Sequence, residues 1–228
     1  MIAGPAAVLW DMDGTLVDSE KVWEVALRDV ARGLGGTLSA AARTAVVGSS
    51  MQYTLRVLFD DLGLAPDRRR MAGVGKRILA RTGELFDGGL EWRPGAQAAL
   101  AAVRSAGWPM ALVTNTGREL TERALDVIGR HHFAATVCAE EVGRSKPDPG
   151  PYLAAARLLG VPAEHCLAVE DSPTGVLAAE RAGAAVLVVP CETAVPSGPG
   201  RVERDTLVGL TADDVRLAYG ARRLDRVP

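Results

Sequence analysis

Long apolar runs, charge of one sign, cysteine and repeats are all scarce in this chain of 228 residues. No stretch approaches the roughly twenty apolar residues that a bilayer-spanning helix needs. The opening M-I-A-G-P-A-A has neither the basic residue nor the hydrophobic block of a secretory signal. A cytoplasmic protein with no membrane partner is therefore expected. With 26 Lys and Arg against 28 Asp and Glu, the formal net charge of -2 supplies no electrostatic footprint for nucleic acid. The one basic run, Arg68-Arg69-Arg70, reads as a solvated helix face or loop. Cys138, Cys166 and Cys191 are odd in number, widely spaced and without a C-x-x-C, which argues against a disulfide framework or a zinc site. They are expected to be reduced core residues. No repeat at a fixed period is visible, and nothing speaks for an oligomer, so a monomer is the default.

What is present is the balance of a globular protein, 48% apolar and 24% charged, long enough for a core domain with a smaller insert. The stretch A-A-V-L-W-D-M-D-G-T-L-V-D at residues 6–18 organises the rest. Its apolar half is short and β-compatible, as in a strand buried on both faces of a parallel sheet. It ends in Asp11 and Asp13, which share a face because side chains alternate along a strand. Gly14 then lets the backbone turn.

Helical periodicity follows to about residue 86, with helices expected near 20–32, 39–47, 51–62 and 66–85 between Gly, Ser and Pro breaks. After Asp87-Gly88-Gly89 and Arg93-Pro94-Gly95 the pattern changes again. Helices expected near 95–106, 119–128, 150–159 and 174–182 alternate with strands near 110–114, 136–139, 167–169 and 185–189, the signature of an α/β parallel sheet. Residues 190–200 read as a surface loop, and Thr211 with Asp213 and Asp214 as the capped start of a last helix. The helical block between the first strand and the α/β section is most simply an insertion that folds over the strand ends.

Ligands of open parallel sheets lie beyond the carboxyl ends of the strands, and three further strand ends are polar. The second strand runs into Thr114-Asn115-Thr116. A threonine hydroxyl there can meet a phosphate oxygen, although the segment taken alone reads more readily as Thr116 capping the next helix through Glu119. Lys146 precedes a proline in R-S-K-P-D-P, which stiffens its backbone just before a helix. The fourth strand ends in Glu170-Asp171-Ser172, and burying more acid at that edge is costly without a cation. Asp11, Asp13 and Asp171 together make a hard oxygen site suited to Mg²⁺.

With these four segments in view, the chain resembles the haloacid dehalogenase-like superfamily. The likeness is to its phosphatases with a helical cap inserted after the first strand, in the sugar-phosphate phosphatase and β-phosphoglucomutase-like group. D-M-D-G-T-L-V-D-S at 11–19, T-N at 114–115, S-K-P-D-P at 145–149 and E-D-S at 170–172 match its four motifs. The resemblance implies a Rossmann-like α/β core of residues 1–18 and 89–228 with strand order 5-4-1-2-3, and an all-helical cap of residues 19–88. It implies Asp11 as nucleophile, Asp13 as general acid and base, and Thr114, Asn115 and Lys146 as phosphate-binding residues. Mg²⁺ would be held by Asp11, the carbonyl of Asp13 and Asp171, with Glu170 direct or through water.

The chemistry is consistent. A carboxylate with a reference pKa of about 3.9 needs no activating base to form an aspartyl phosphate, while Asp13 must deliver a proton to the leaving alkoxide and later take one from water. The expected substrate is a small phosphorylated metabolite. Its specificity would lie in the cap and nearby, with Glu20, Trp23, the loop of Val47 to Gln52 (Ser49, Ser50, Met51 and Gln52 among them) and Arg118 as candidates. D-M-D-G-T-L-V-D-S-E-x-x-W resembles the sugar-phosphate phosphatases more than the phosphoglycolate ones. Two rivals are a β-phosphoglucomutase-like mutase and a non-hydrolytic phospho-acceptor or binding protein. Against the mutase, Trp23 stands where that enzyme has a histidine and Met51 where it has a cap-loop arginine, with Arg56 one turn further on. The cap connections, with Gly14, Gly83, Gly88 and Gly89, are expected to act as hinges.

Overall fold

The computed structural model describes residues 4–46 and 49–224. The chain opens with β1 (Ala7–Trp10), all four residues of which are buried. Four helices follow: α1 (Glu20–Gly33), α2 (Ala40–Val46), α3 (Met51–Asp61) and α4 (Arg68–Asp87). Then come α5 (Ala96–Ser105), β2 (Met110–Val113), α6 (Arg118–Ile128), β3 (Ala135–Val137), α7 (Gly150–Leu158) and β4 (Cys166–Glu170). The described chain finishes with α8 (Pro173–Ala182), β5 (Ala185–Val188), β6 (Arg201–Glu203) and α9 (Ala212–Leu224).

Among the described residues the strands form one parallel sheet of order β3-β2-β1-β4-β5-β6. β1 is central, with Leu9 opposite Ala111 of β2 on one side and Ala168 of β4 on the other. The chain winds outward from β1 to β3, then returns to β4 and winds the other way. The reversal between β1 and β4 opens a crevice at their carboxyl ends. The expected order 5-4-1-2-3 is contained in this sheet, which gains one edge strand. β6 escapes the sequence reading because Arg-Val-Glu has one apolar residue and no alternation to follow; its pairing with β5 makes it a strand.

Apolar residues from the sheet and its helices, among them Leu9, Val113, Tyr152, Ala168, Val176 and Val186, form a core packed on β1, β2, β4 and β5. Cys138 and Cys166 are buried and free as expected, but Cys191 is partly exposed in the loop after β5, so it is not a core residue.

Ser19–Leu90 forms a compact unit of its own, and the described residues on either side of it form the other. The helical unit is built on Leu27, Val30 and Ala31 of α1, Leu38 before α2 with Ala42 within it, Leu55, Leu58 and Phe59 of α3, and Val74 and Ile78 of α4. Its helix starts are chemically marked. Ser50 Oγ accepts from Tyr53 N–H at 3.3 Å and Asp67 Oδ1 from Arg70 N–H at 2.7 Å.

Candidate active site

Asp11 extends β1 by one residue, its N–H donating to the Val169 carbonyl at 3.0 Å, and its side chain is buried. The chain then turns at Gly14, which has φ +83°, and a Cβ there would overlap the Asp171 carboxylate. Glycine at this position thus answers two demands, the left-handed backbone and the approach of an acid from the end of β4.

Lys146 reaches this point from the connection before α7. Its Nζ donates to Asp11 Oδ1 at 2.6 Å, Glu170 Oε1 at 2.7 Å and the Val113 carbonyl at 2.9 Å. All three ammonium protons are therefore placed. Burial works against this charge, but Asp11 and Glu170 outweigh it and hold the ammonium well above the usual lysine range.

Glu170, fully buried, accepts on Oε1 from Lys146 and from the Tyr152 hydroxyl at 2.6 Å. Its Oε2 accepts from the Ser172 hydroxyl at 3.1 Å and from the backbone of Asp171 at 3.2 Å. In the same turn Ser172 Oγ accepts from Gly175 N–H and caps α8.

On the other side of Asp11, Thr114 is buried at the end of β2 and Thr116 lies two residues on. Both hydroxyls donate to Asp13 Oδ2 at 2.8 Å. Thr116 is thus turned into the site, and at the start of α6 after Gly117 it is the Glu140 carboxylate that accepts from Arg118 N–H, at 2.6 Å. The Asn115 side chain is engaged locally. Its Oδ1 accepts from Lys146 N–H at 2.9 Å and its Nδ2 donates to the Lys146 carbonyl at 3.3 Å, so its amide clamps the lysine's backbone.

Asp11, Glu170 and Asp171 each offer a carboxylate oxygen within 4.8 Å of the others. Asp11 Oδ2 is buried and has no hydrogen-bond partner. Burial first, then Glu170 and Asp13, push Asp11 up to about 7 against the pull of Lys146. Asp171 is pushed up to about 9 by burial, Asp11 and Glu170. Four carboxyl groups around one ammonium are short of positive charge. The orphaned Oδ2 and an all-oxygen donor set fit a hard divalent cation.

The remaining predicted residues have local surroundings. Arg118 donates to Glu141 at 2.8 Å, Glu122 at 3.0 Å and Thr136 Oγ1 at 2.8 Å. In the helical unit, Trp23 and Met51 are partly buried against its core, Ser50 caps α3, and Ser49 Oγ lies 2.9 Å from Thr54 Oγ1. Gln52 is exposed and Glu20 half-buried in the first turn of α1. Val47 and Gly48 of the expected specificity loop lie outside the described residues. The sequence reading missed Tyr152 altogether, and left Thr116 with two possible roles. For Tyr152 the usable signal was a phenol inside an otherwise apolar helix face, since a buried hydroxyl needs a partner.

A doubly wound sheet with a buried carboxylate cluster at its switch point defines an α/β protein with an acidic strand-end site. The chain belongs to the haloacid dehalogenase-like hydrolase family, whose model matches residues 5–183. Hexitol phosphatase B of Escherichia coli (strain K12) is 32% identical over 223 residues, covering 92% of this chain and 96% of that protein. The plasmid phosphoglycolate phosphatase of Cupriavidus necator is 33% identical over 210 residues, covering 89% and 88%. Among solved structures, β-phosphoglucomutase from Clostridium difficile matches with a TM-score of 0.78 over 96% of this chain and 99% of its own. At 18% identity that likeness concerns the fold.

Proposed function

We propose that this protein is a Mg²⁺-dependent phosphatase that hydrolyses a small phosphomonoester through an aspartyl phosphate on Asp11. The observation that carries the reading is the divided Asp11 carboxylate. Lys146 holds Oδ1, while Oδ2 is buried without a partner on a carboxylate that clusters with Glu170 and Asp171. Asp11, the Asp13 carbonyl and Asp171 would hold Mg²⁺, with Glu170 near it directly or through water. The metal, when bound, supplies positive charge that favours the Asp11 anion and screens the incoming phosphate.

Lys146 keeps the nucleophile oriented and favours the phosphate through its charge, or by exchanging one of its three partners for a phosphoryl oxygen, while Thr114 donates to it; the Asn115 side chain fixes the lysine's backbone. Asp13 gives its proton to the leaving oxygen and takes one from the water that opens the phosphoenzyme. Ser19–Leu90 acts as the cap, and Glu20, Trp23, Ser49, Ser50, Met51, Gln52 and Arg118 are proposed to select the substrate. Relatives named for a hexitol and for phosphoglycolate support a small phosphorylated metabolite as the substrate class. We place the protein in the cytoplasm as a monomer; no described helix is long and apolar enough to cross a membrane. Trp23 and Met51 pack on the helical unit's core and bring neither a group that titrates near neutral pH nor a cation, which supports hydrolysis over mutase chemistry.

The test is phosphate release from a panel of phosphorylated metabolites, with and without Mg²⁺. Turnover is expected only with metal, and Asp11→Asn is expected to abolish it, because an amide is a poor nucleophile and a weaker ligand. Activity of this variant within about tenfold of wild type would refute the covalent route. Isomerisation of β-glucose 1-phosphate outrunning phosphate release, with catalytic glucose 1,6-bisphosphate present, would establish the mutase instead.

A further inference from the structure

Two threonine hydroxyls converge on a single oxygen of Asp13, and one of them has a second claim on it. Thr114 Oγ1 and Thr116 Oγ1 each donate to Asp13 Oδ2 at 2.8 Å, while Thr114 Oγ1 accepts from Thr116 N–H at 2.9 Å. A hydroxyl has one proton to donate, so Thr114 cannot serve Asp13 and a phosphoryl oxygen together. When phosphate draws that proton away, the Thr116 hydroxyl is the one of the pair that stays on Oδ2. We infer that Thr116 is a positioning residue for Asp13, holding its carboxyl group in place while Thr114 changes partner from Asp13 to the substrate. This rests on the acid–base role proposed for Asp13.

The geometry also distinguishes the two oxygens of Asp13. Both hydroxyl contacts fall on Oδ2, so we assign the proton that Asp13 transfers to Oδ1. In the first step the Asp11 carboxylate forms a bond to phosphorus and the ester P–O bond breaks. The electron pair of that bond stays on the leaving oxygen, which takes the Oδ1 proton and leaves Asp13 as a carboxylate. Thr116 transfers no proton and touches no reacting atom. Its contribution is to the orientation of Oδ1, and orientation matters only where the leaving group needs a proton.

That dependence supplies the experiment. kcat/KM would be measured for p-nitrophenyl phosphate, whose leaving phenolate is stable near neutral pH, and for 2-glycerophosphate, whose alkoxide must be protonated. Thr116→Val is expected to lose about tenfold or more on 2-glycerophosphate and less than about threefold on p-nitrophenyl phosphate, a part of the full effect of an acid catalyst. Thr116→Ser should stay close to wild type on both. Inhibition by inorganic phosphate should be unchanged in either variant, which checks that the fold and the Thr114 site persist. Equal losses on the two esters, no loss on either, or a serine variant as impaired as the valine one would overturn the inference. Asp13→Asn is measured alongside. If it fails to discriminate between the esters, the acid–base reading of Asp13 has failed; if it discriminates and Thr116→Val does not, only the role of Thr116 has failed.

Discussion

Glu170 shows how much of the site depends on single atoms. Its carboxylate is walled in by α8, where a Cβ on Gly175 would overlap both Glu170 oxygens. A glycine inside a helix ordinarily lowers stability relative to alanine by about 1 kcal/mol, so its presence here reflects space and not propensity. Gly175→Ala must push Glu170, and with it Lys146, out of register with Asp11. A displacement of about 1 Å at the chemistry costs on the order of a hundredfold in rate. We expect kcat to fall by about that factor while the variant remains folded by circular dichroism. A variant with full activity would show that the Glu170 carboxylate can move without disturbing the lysine.

Among the elements, the same substitution should have the opposite sign in α4. This is the long helix of Ser19–Leu90, started by Asp67 and carrying Gly73 and Gly75 in its first half. Gly75 is buried, and a Cβ there would lie 3.3 Å from the Leu55 side chain, whereas Gly73 is exposed and a Cβ there would meet nothing within 4 Å. Gly73→Ala should therefore stabilise the helical unit by about 0.5–1 kcal/mol through the reduced entropy of the unfolded chain. A higher urea midpoint is the expected result; an unchanged or lower one would show that the exposed helix surface carries a constraint not evident from its packing. The expected hinge glycines also differ among themselves. Gly14 and Gly89 have φ of +83° and +116°, while Gly83 is a buried interior residue of α4 and Gly88 ends that helix with an ordinary φ of -71°.

For the whole molecule, the charge shortage at the sheet edge predicts a coupling of stability to pH and metal. Burial, with the repulsion of their carboxylate neighbours, pushes Asp11 up to about 7 and Asp171 up to about 9 in the folded protein, above their ordinary value of 3.8. The unfolded chain thus releases these protons first. Without metal, their contribution is fully present below the ordinary carboxylate range and is lost as pH rises through about 7 and then about 9. On the function proposed above, Mg²⁺ would take the place of the protons, so its binding is expected to tighten over the same window. The rise in Tm produced by Mg²⁺ should grow steadily from about pH 6 to about pH 9. A metal-induced shift that is flat across this range would mean that these two carboxylates are not what the ion replaces.

The parallel sheet, the helical insertion and three polar strand ends were legible from the order of the residues alone, while the fourth segment, S-K-P-D-P, lies well past β3 in the connection before α7. Each of the first set depends on local pattern: an apolar run of strand length, its alternation, and the D-M-D-G-T, T-N and E-D-S segments that close the runs. β6 was beyond that pattern, because three residues with charged ends become a strand only when β5 offers its edge. The inner connections of the site were also beyond it. Asn115 clamps the backbone of a lysine 31 residues away, Thr116 binds an aspartate 103 residues away, and Tyr152 meets Glu170 across 18 residues. Local pattern says that a hydroxyl or amide stands at a strand end or inside a helix. Which buried partner that group must satisfy is fixed by the folded chain, because the cost of an unpaired polar atom depends on whatever folding brings beside it.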